Sequence, residues 1–547
     1  MTLKELYQSI SKREWHFVGA ITIIAILLTS LPYLYGWLVR GNDYFLGFHS
    51  LSSGDISVYY SYLEQVKQGH FLFKDLYTSE FQGAGRLNIF WLGIGLFGQI
   101  FNLPDILTFH LARILLIPVF GFVAYLFLSY FFLDKAKRKI GYLFLIFASG
   151  WGGIFSQLLE KFYFEKAGYS HWPPDLWVPE SNTFLTLYQS PHFIASVTLV
   201  VLIFLLMLLA FENNKIKYSI AAGLAGLALF QFHPFNIFVI FGALGLYIAA
   251  LCLIQKKIRW QFIKHYVIFG LLSVPSIIYY LYLLKFDWLT IESGRENLCL
   301  TPALFLVIIG YGLIIPLAIF GYYSLSKNKE IKNSPWLFLI IWAVFQFFLI
   351  YSPVNFERRM IEGWQIPLIL LAISGLYFVK SKLDKLKLFS VINRNIFLLG
   401  FLFIVFFFTS NLFVMADDIG LFKTKNNLLY IPAAEKEAFA WIKSNVGESQ
   451  PIFSYWRTGN LIPGQTGKTV YLGHSVETAY FYTKIQNIDW FLNTKSDEAR
   501  ARFLKANKIK YLYWGKDERS KSSFEPQKAN FLEKVYSNNE VEIYKVL

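Results

Sequence analysis

Apolar and polar positions alternate along this chain in long blocks. A bilayer core about 30 Å thick is crossed by a helix of about 20 apolar residues. Eleven runs suit such a helix, near residues 16–38, 106–133, 138–158, 191–211, 216–232, 235–254, 262–284, 302–325, 335–352, 364–380 and 395–414. The pattern therefore predicts a polytopic α-helical membrane protein with about eleven transmembrane helices.

A further apolar run at residues 87–101 (LNIFWLGIGLFGQIF) is too short for a full span. If this run crossed the membrane, every basic cluster that follows it would change sides. We therefore predict an interfacial or re-entrant helix here, whose backbone groups still bond to one another within the helix.

Basic clusters set the orientation of the predicted spans, because Lys and Arg accumulate in cytoplasmic loops. If the N-terminus is cytoplasmic, all the clusters fall on one side: Lys12-Arg13, residues 135–139, Lys215 with Lys217, and residues 256–259, 327–332 and 380–394. The outer face then receives residues 41–105, 160–190, 285–301 and 352–363, the His233-Pro234 turn and the chain after Met415. These outer segments are rich in Trp, Tyr, His and acidic residues, so we expect any chemistry there.

The chain from about residue 415 has the composition of a soluble domain. The helical spacing of Phe439, Trp441 and Ile442 predicts a helix over 433–445, and Ser496 is the predicted N-cap of a helix over 496–507. Segments 451–456, 469–472, 509–514 and 541–546 are predicted strands. We therefore predict two domains: a transmembrane domain over 1–414, and a small extracytoplasmic α/β domain over 415–547.

Composition supports the membrane assignment and excludes some functions. Of 547 residues, 55% are hydrophobic and 16% are charged, and the mean hydropathy of +0.43 is too high for a soluble globular protein. The net charge of +15 comes from Lys and Arg placed between the apolar runs, as topology requires, rather than in a patch for nucleic acid. The location we predict is the plasma membrane.

Asp55 is the first candidate for chemistry. The sequence Ser53-Gly54-Asp55 suits a helix start, and Ile56 and Tyr60 then continue an apolar face over residues 55–68. We predict an amphipathic helix that lies on the membrane, with Asp55 in its first turn. The alternative is that Asp55 is only a helix cap, since Asp favours such positions.

Several outer segments together resemble the GT-C superfamily of membrane glycosyltransferases, such as protein O-mannosyltransferases and lipid A aminoarabinose transferases. The first-loop stretch 53–69 places an acidic residue ahead of a Tyr-containing helix, as the motif of that superfamily does. Residues 107–116 (LTFHLARILL), 179–193 (PESNTFLTLYQSPHF), 355–368 (NFERRMIEGWQIPL) and 454–478 (SYWRTGNLIPGQTGKTVYLGHSVET) are also similar to superfamily segments. The chain departs from the oligosaccharyltransferase branch in having no Asp-x-Asp in the first loop and no Trp-Trp-Asp in the tail.

The resemblance implies an inverting transfer of sugar from a polyprenyl-phosphate donor to a glycan, lipid or protein acceptor, with Asp55 as the general base. Residue chemistry fits this role, since a carboxylate at a water-membrane boundary needs only a modest rise in pKa to take a hydroxyl proton. The two missing motifs put a bound metal in doubt. A divalent ion that Asp55 and Glu180 share through water is the alternative left open.

Further charged residues are candidates for substrate binding. Arg358 and Arg359 are expected to hold the donor phosphate, because guanidinium groups bind phosphate with two parallel hydrogen bonds. The alternative is an interfacial pair balanced by Glu357 and Glu362. The other candidates are Glu180, His192, His233, Glu357 and Arg113, for which loop solvation, helix capping or structural pairing are the alternatives.

The sequence is also compatible with two other functions. A transporter or flippase for a lipid-linked or anionic solute would favour ionisable residues near the bilayer midplane and paired broken helices. A non-catalytic scaffold would tolerate Asn at position 55. The partners expected for the glycosyltransferase are the lipid-linked donor, the acceptor and membrane lipid, without nucleic acid.

Overall fold

The computed structural model describes residues 1–159, 170–332, 334–383 and 396–547. Parts of the predicted outer loop 160–190 and of the basic cluster 380–394, and the first residue of the predicted span 395–414, lie outside this range. The chain forms two compact units. Unit 1 comprises Met1–Leu31, Leu111–Tyr282 and Leu298–Asp417, and unit 2 comprises Pro32–His110, Leu283–Asn297 and Asp418–Leu547.

Helices dominate the chain as far as residue 423. They are α1 (Leu3–Gln8), α2 (Lys12–Leu38), α3 (Ser53–Lys67), α4 (Ile89–Ile100), α5 (Asp105–Phe131), α6 (Lys135–Phe147), α7 (Gly152–Leu159), α8 (Thr183–Gln189), α9 (Pro191–Asn213), α10 (Ile216–Phe232), α11 (Asn236–Gln255), α12 (Trp260–Phe286), α13 (Trp288–Glu296), α14 (Leu304–Tyr311), α15 (Ile314–Lys327), α16 (Pro335–Leu349), α17 (Gln365–Leu383), α18 (Ile396–Phe407) and α19 (Thr409–Lys423). A two-residue strand, β1 (Tyr44–Phe45), lies between α2 and α3.

Within the described residues, seven helical segments are long and apolar enough to cross a membrane, or nine if two bent pairs each count as one span. The bent pairs are α14 with α15, at 80°, and α18 with α19, at 72°. The predicted spans 216–232 and 335–352 correspond to helices of 17 and 15 residues. The multi-pass helical architecture is confirmed, whereas the count of eleven spans stays a prediction.

The run at 87–101 forms α4, which has 12 residues. At 1.5 Å per residue this helix is about 18 Å long, well short of a bilayer core about 30 Å thick. It belongs to unit 2, where its buried Trp91 stacks on Tyr59 of α3 with 4.6 Å between ring centroids.

Close helix contacts build the core of unit 1. Helices α15 and α17 pack through Gly321 and Gly375, where an added Cβ would lie 1.9 Å from the carbonyl oxygens of Leu371 and Leu317. Small residues at helix interfaces allow such approach of two backbones in membranes. Helix α9 is apolar around its whole circumference and almost entirely buried, as expected for a central helix.

Unit 2 joins the first loop to the C-terminal segment. Strand β1 pairs antiparallel with β2 (Tyr430–Ile431). The elements that follow are α20 (Ala433–Asn445), β3 (Ile452–Phe453), α21 (Trp456–Thr466), α22 (Phe481–Asn493), α23 (Asp497–Ala506), β4 (Tyr511–Trp514), α24 (Lys516–Lys521), β5 (Leu532–Ser537) and β6 (Glu542–Val546). A four-stranded mixed sheet has the order β3-β4-β6-β5, in which only the β3-β4 pair is parallel.

Most C-terminal elements match their predictions. Helix α20 has the predicted bounds, and the Ser496 hydroxyl accepts from the Ala499 N–H as the predicted cap of α23. The predicted strand 451–456 was wrong beyond Phe453, because Trp456 begins α21 instead. The predicted strand 469–472 makes a single bridge, between Val470 and Ile452. The predicted domain boundary at 414–415 lies close to Asp418, but unit 2 also includes the first loop.

The predicted first-loop helix forms as α3, with Asp55 in its first turn, and its location on the membrane stays a prediction. Helix α3 packs between α4 and α21, and nine of its residues are buried, including the polar Ser57 and Glu64. The Ser57 hydroxyl donates to the Asn460 carbonyl at 2.6 Å, and the Lys443 ammonium lies 2.5 Å from Glu64. The C-terminal segment thus covers polar positions that the sequence alone assigns to solvent.

Candidate functional site

Asp55 lies in the first turn of α3 and is not the residue that caps it. The N-cap residue is Ser52, whose side chain makes no capping hydrogen bond. The Asp55 carboxylate lies 3.1 Å from the Nε2 atom of His474, and its side chain is 51% exposed. The helix start therefore presents a carboxylate that is hydrogen-bonded to His474 and about half exposed.

His474 is held rigidly beside Asp55. Its ring is buried, with 7% of its surface exposed, and its Nδ1 atom accepts from the N–H groups of Val476 and Glu477 at 3.2 and 3.3 Å. An Nδ1 atom that accepts carries no proton, so the proton lies on Nε2, which donates to Asp55. Burial lowers the pKa of His474, but the hydrogen bond and charge of Asp55 more than offset this and raise it above the ordinary value.

The loop that carries His474 is tied to the first loop. The Thr478 hydroxyl donates to the Tyr77 carbonyl at 2.8 Å and accepts from the Gly473 N–H at 3.0 Å. Sequence reasoning included His474 only within the segment 454–478 and did not select it. The sequence offered one signal that could have selected it, since His474 is the single His after position 265.

Asp75 is a second carboxyl in this part of unit 2. Burial, followed by the negative charge of Glu477, raises its pKa to about 8, although the Tyr77 N–H, Arg86 and His474 oppose the rise. Arg86 is bonded through Nε to the Asp287 carboxylate at 2.8 Å. Asp75 is thus largely protonated at neutral pH, whereas an Asp in an unfolded chain has a pKa of about 3.9.

The raised pKa of Asp75 predicts a pH-dependent stability. Between about pH 4 and pH 8 the folded protein binds one more proton here than the unfolded chain, so this group makes folding less favourable as the pH rises. Asp75→Asn cannot ionise and can still accept from the Tyr77 N–H. We expect its melting temperature relative to wild type to rise by about 4 °C between pH 5 and pH 9. If the melting temperatures of the two proteins changed with pH in the same way, the assignment to Asp75 would be contradicted.

A second group of polar side chains lies in unit 1, around the buried Glu362. Its Oε2 atom accepts from the Ser196 hydroxyl at 2.7 Å, the Asn236 amide at 2.5 Å and the His233 Nδ1 at 3.1 Å. Its Oε1 atom is buried and has no hydrogen-bond partner within the described part of the chain. The His192 ring lies 5.2 Å from the His233 ring, between centroids.

Three more charged residues belong to the same group. Burial raises the pKa of Glu180, against the opposing charges of Arg359 and Arg358. Both arginines are half-buried, with Arg358 over the Trp177 ring at 4.2 Å and Arg359 over the Phe235 ring at 5.3 Å. The structure thus brings together five predicted binding residues of unit 1: Glu180, His192, His233, Arg358 and Arg359.

The other two predicted binding residues have structural contacts. Arg113 is fully buried in α5 and donates to the Leu187 carbonyl at 3.0 Å and the Ser30 hydroxyl at 2.9 Å. Glu357 accepts from the Thr301 N–H at 2.8 Å. Both side chains connect neighbouring segments of unit 1, and their role in substrate binding stays a prediction.

Metal binding has little support among the residues that the structure describes. No group of three or more His, Cys, Asp or Glu side chains there has a geometry that could hold a metal ion. Asp55 belongs to unit 2 and Glu180 to unit 1. A divalent ion that Asp55 and Glu180 share through water stays a prediction.

Comparison with known proteins relates the chain to solved structures alone. No protein-family model and no curated protein matches the sequence. The oligosaccharyltransferase of Archaeoglobus fulgidus in the apo form is similar with a TM-score of 0.55 and 13% identity, over 92% of this chain and 70% of that one. The same enzyme with an inhibitory peptide and a dolichol-phosphate gives 0.51 and 13% over the same shares. ArnT of Cupriavidus metallidurans bound to undecaprenyl phosphate gives 0.49 and 10%, over 96% and 98%.

The similarity defines the class of protein at the level of fold. This chain is a multi-pass membrane protein with the fold of the oligosaccharyltransferase of Archaeoglobus fulgidus. The fold that the sequence resemblance implies is therefore confirmed.

Proposed function

We propose that this protein is a glycosyltransferase that moves a sugar from a polyprenyl-phosphate donor to an acceptor hydroxyl on the outer face of the membrane. The observation that carries the proposal is the half-exposed Asp55 carboxylate, which His474 holds by a hydrogen bond. It occurs in a fold shared with a solved oligosaccharyltransferase that binds dolichol-phosphate.

The proposed reaction is a single displacement at the anomeric carbon. The acceptor oxygen forms a bond to C1 of the sugar while the bond from C1 to the phosphate oxygen breaks. The electron pair leaves with the polyprenyl phosphate, and the hydroxyl proton moves to Asp55. A direct attack of this kind inverts the configuration at C1, and one carboxylate is sufficient as the base.

His474 would serve as a positioning residue for Asp55. Two backbone N–H groups occupy its Nδ1 atom, so its Nε2–H points at the carboxylate and fixes the direction of that side chain. The same hydrogen bond stabilises the ionised form of Asp55, which the base needs before the reaction. When Asp55 takes a proton, the interaction weakens, which favours release of that proton to water.

The group around Glu362 in unit 1 is our candidate for binding the donor phosphate. Two guanidinium groups and two imidazoles supply cationic or hydrogen-bonding donors, and phosphate is bound best by donors of these types. The Trp177 ring packs on the face of the Arg358 guanidinium, and the Phe235 ring packs on that of Arg359.

The direct test is a transfer assay with purified full-length protein in lipid nanodiscs. Radiolabelled polyprenyl-phosphate hexoses and pentoses would be offered with glycan, lipid and peptide acceptors. We expect at least one donor to lose its label to an acceptor, in a time course that scales with the amount of protein. A folded protein that transfers no label from any donor would contradict the proposal.

A transporter or flippase is the second candidate, because one observation favours it specifically. The two bent helix pairs, α14 with α15 and α18 with α19, are the broken helices that transport mechanisms often use. The same purified protein can be reconstituted into liposomes. A transporter would then move the intact labelled donor between the two leaflets without cleaving its sugar. Cleavage and transfer of the label would instead favour the enzyme.

The proposed location of the C-terminal segment on the outer face predicts a labelling pattern. In a background that lacks Cys252 and Cys299, Ser520→Cys in the C-terminal segment and Lys327→Cys at the end of α15 would each introduce one exposed thiol. We expect a membrane-impermeant maleimide to label position 520 in intact cells, and position 327 only after permeabilisation. The reverse pattern would invert the proposed topology.

A further inference from the structure

A small cavity in unit 2 adjoins the Asp55–His474 pair. Its volume is about 300 Å³, and its lining includes Gly54, Trp456, Asn460, His474, Ser475 and Phe481. Gly54 and His474 are respectively the chain neighbour and the hydrogen-bond partner of Asp55. The cavity therefore opens beside the carboxylate to which we assign the role of base.

The lining offers an aromatic surface together with unused hydrogen-bonding groups. The Trp456 side chain is 38% exposed although it begins helix α21. The Asn460 amide and the Ser475 hydroxyl make no hydrogen bond to any residue that the structure describes, whereas the Asn460 backbone carbonyl accepts from Ser57. Ser475 is exposed and Asn460 is half-buried, so both polar groups are accessible from the cavity.

Side chains of this mixture suit a carbohydrate ring. A sugar ring has an apolar C–H face that packs on an aromatic side chain, and hydroxyls at its rim that exchange hydrogen bonds with amides and hydroxyls. The Cβ of any residue at position 54 would lie 3.1 Å from the Asn460 amide nitrogen and 3.2 Å from the His474 ring. Glycine at this position therefore keeps the wall between the cavity and Asp55 thin.

We propose that the acceptor is a carbohydrate, whose ring stacks on Trp456 and bonds to Asn460 while one of its hydroxyls reaches Asp55. The inference rests on the proposed function, because Asp55 removes a proton from the acceptor and the ring that bears this hydroxyl must lie next to it. The volume suits one or two sugar rings rather than an extended peptide.

Binding can be tested without catalysis. Saturation-transfer NMR on the full-length protein in nanodiscs would use methyl glycosides of mannose, glucose, galactose and arabinose, and acetylated tripeptide amides that contain Ser, Thr or Asn. We expect at least one glycoside to bind wild type and Asp55→Asn alike, and about tenfold more weakly to Trp456→Ala. Trp456→Phe should retain part of the affinity, because the phenyl ring still offers a stacking face.

Two further variants distinguish a loss of glycoside binding from a loss of folding. Asn460→Ala removes an amide that bonds to no described residue, so it should weaken glycoside binding while the melting temperature is unchanged. Trp490→Ala removes a Trp of similar exposure, 44%, that does not line the cavity, and should bind glycosides as wild type does. Glycoside binding that survives both Trp456→Ala and Asn460→Ala, or peptide binding that requires Trp456, would overturn the inference.

Transfer kinetics separate this inference from the proposed function. If the protein transfers sugar, Trp456→Ala should raise the KM for the acceptor glycoside about tenfold and leave the KM for the lipid donor unchanged. An increase in the donor KM alone would mean that the cavity holds the donor sugar, and would overturn the inference. Glycoside binding at Trp456 in a protein that transfers nothing would reject the enzyme but keep a carbohydrate site.

Discussion

Asp55→Asn is expected to lower the rate of sugar transfer by about a hundred- to ten-thousand-fold, the range that loss of a general base produces. Asn has nearly the shape of Asp and can still accept from the His474 Nε2–H, so the contact that holds α3 beside the C-terminal segment is kept. It cannot take a proton from a hydroxyl at neutral pH. The loss should therefore appear in kcat, with little change in KM for either substrate.

Two companion variants make the result specific. Asp43→Asn alters another aspartate of the first loop, whose ion pair with Lys425 at 2.9 Å lies near the surface, and should retain full activity. His474→Gln should reduce kcat less than Asp55→Asn does, since the carboxylate remains, and should shift the acidic limb of the pH profile. Equal transfer by wild type and Asp55→Asn, in samples with equal melting temperatures, would remove Asp55 from the mechanism.

The second large effect is expected at the two arginines of unit 1. Each of Arg358→Ala and Arg359→Ala removes charge-assisted hydrogen bonds to the donor phosphate, and such bonds contribute about 1.5–3 kcal/mol each. We therefore expect about a ten- to hundredfold loss of kcat/KM for the lipid-linked donor. The lysine variants should recover only part of it, because an ammonium group restores the charge but not the paired N–H geometry.

The control for the arginine variants is Arg295→Lys, which alters a side chain that is paired with Glu292 within α13. It should leave the donor KM unchanged. Inhibition of transfer by free polyprenyl phosphate gives a second readout. If this compound inhibits Arg358→Ala or Arg359→Ala more weakly than wild type, the variant has lost phosphate binding. Variants that fold normally and keep wild-type KM and inhibition would assign the arginines to packing against Trp177 and Phe235 alone.

The sequence by itself determined the helical membrane architecture. Apolar runs of about 20 residues have few stable alternatives in a bilayer, because backbone groups must bond within the helix. Local patterns also gave the bounds of α20 and the Ser496 cap, since periodicity and capping depend on residues only a few positions apart. The same reasoning selected Asp55 and grouped Glu180, His192, His233, Arg358 and Arg359 on one expected face.

Only the tertiary structure decided what surrounds these residues. His474 meets Asp55 across 419 positions of sequence, and no local pattern encodes a contact of that separation. The burial of α3 depends on α21. The sequence did not predict this helix, because the composition before Trp456 favours a strand. Whether a polar side chain faces solvent, a neighbouring helix or a cavity is set by the packing of distant segments. Only the structure therefore shows that Arg113 bonds to Leu187 and that Trp456 lines a cavity beside His474.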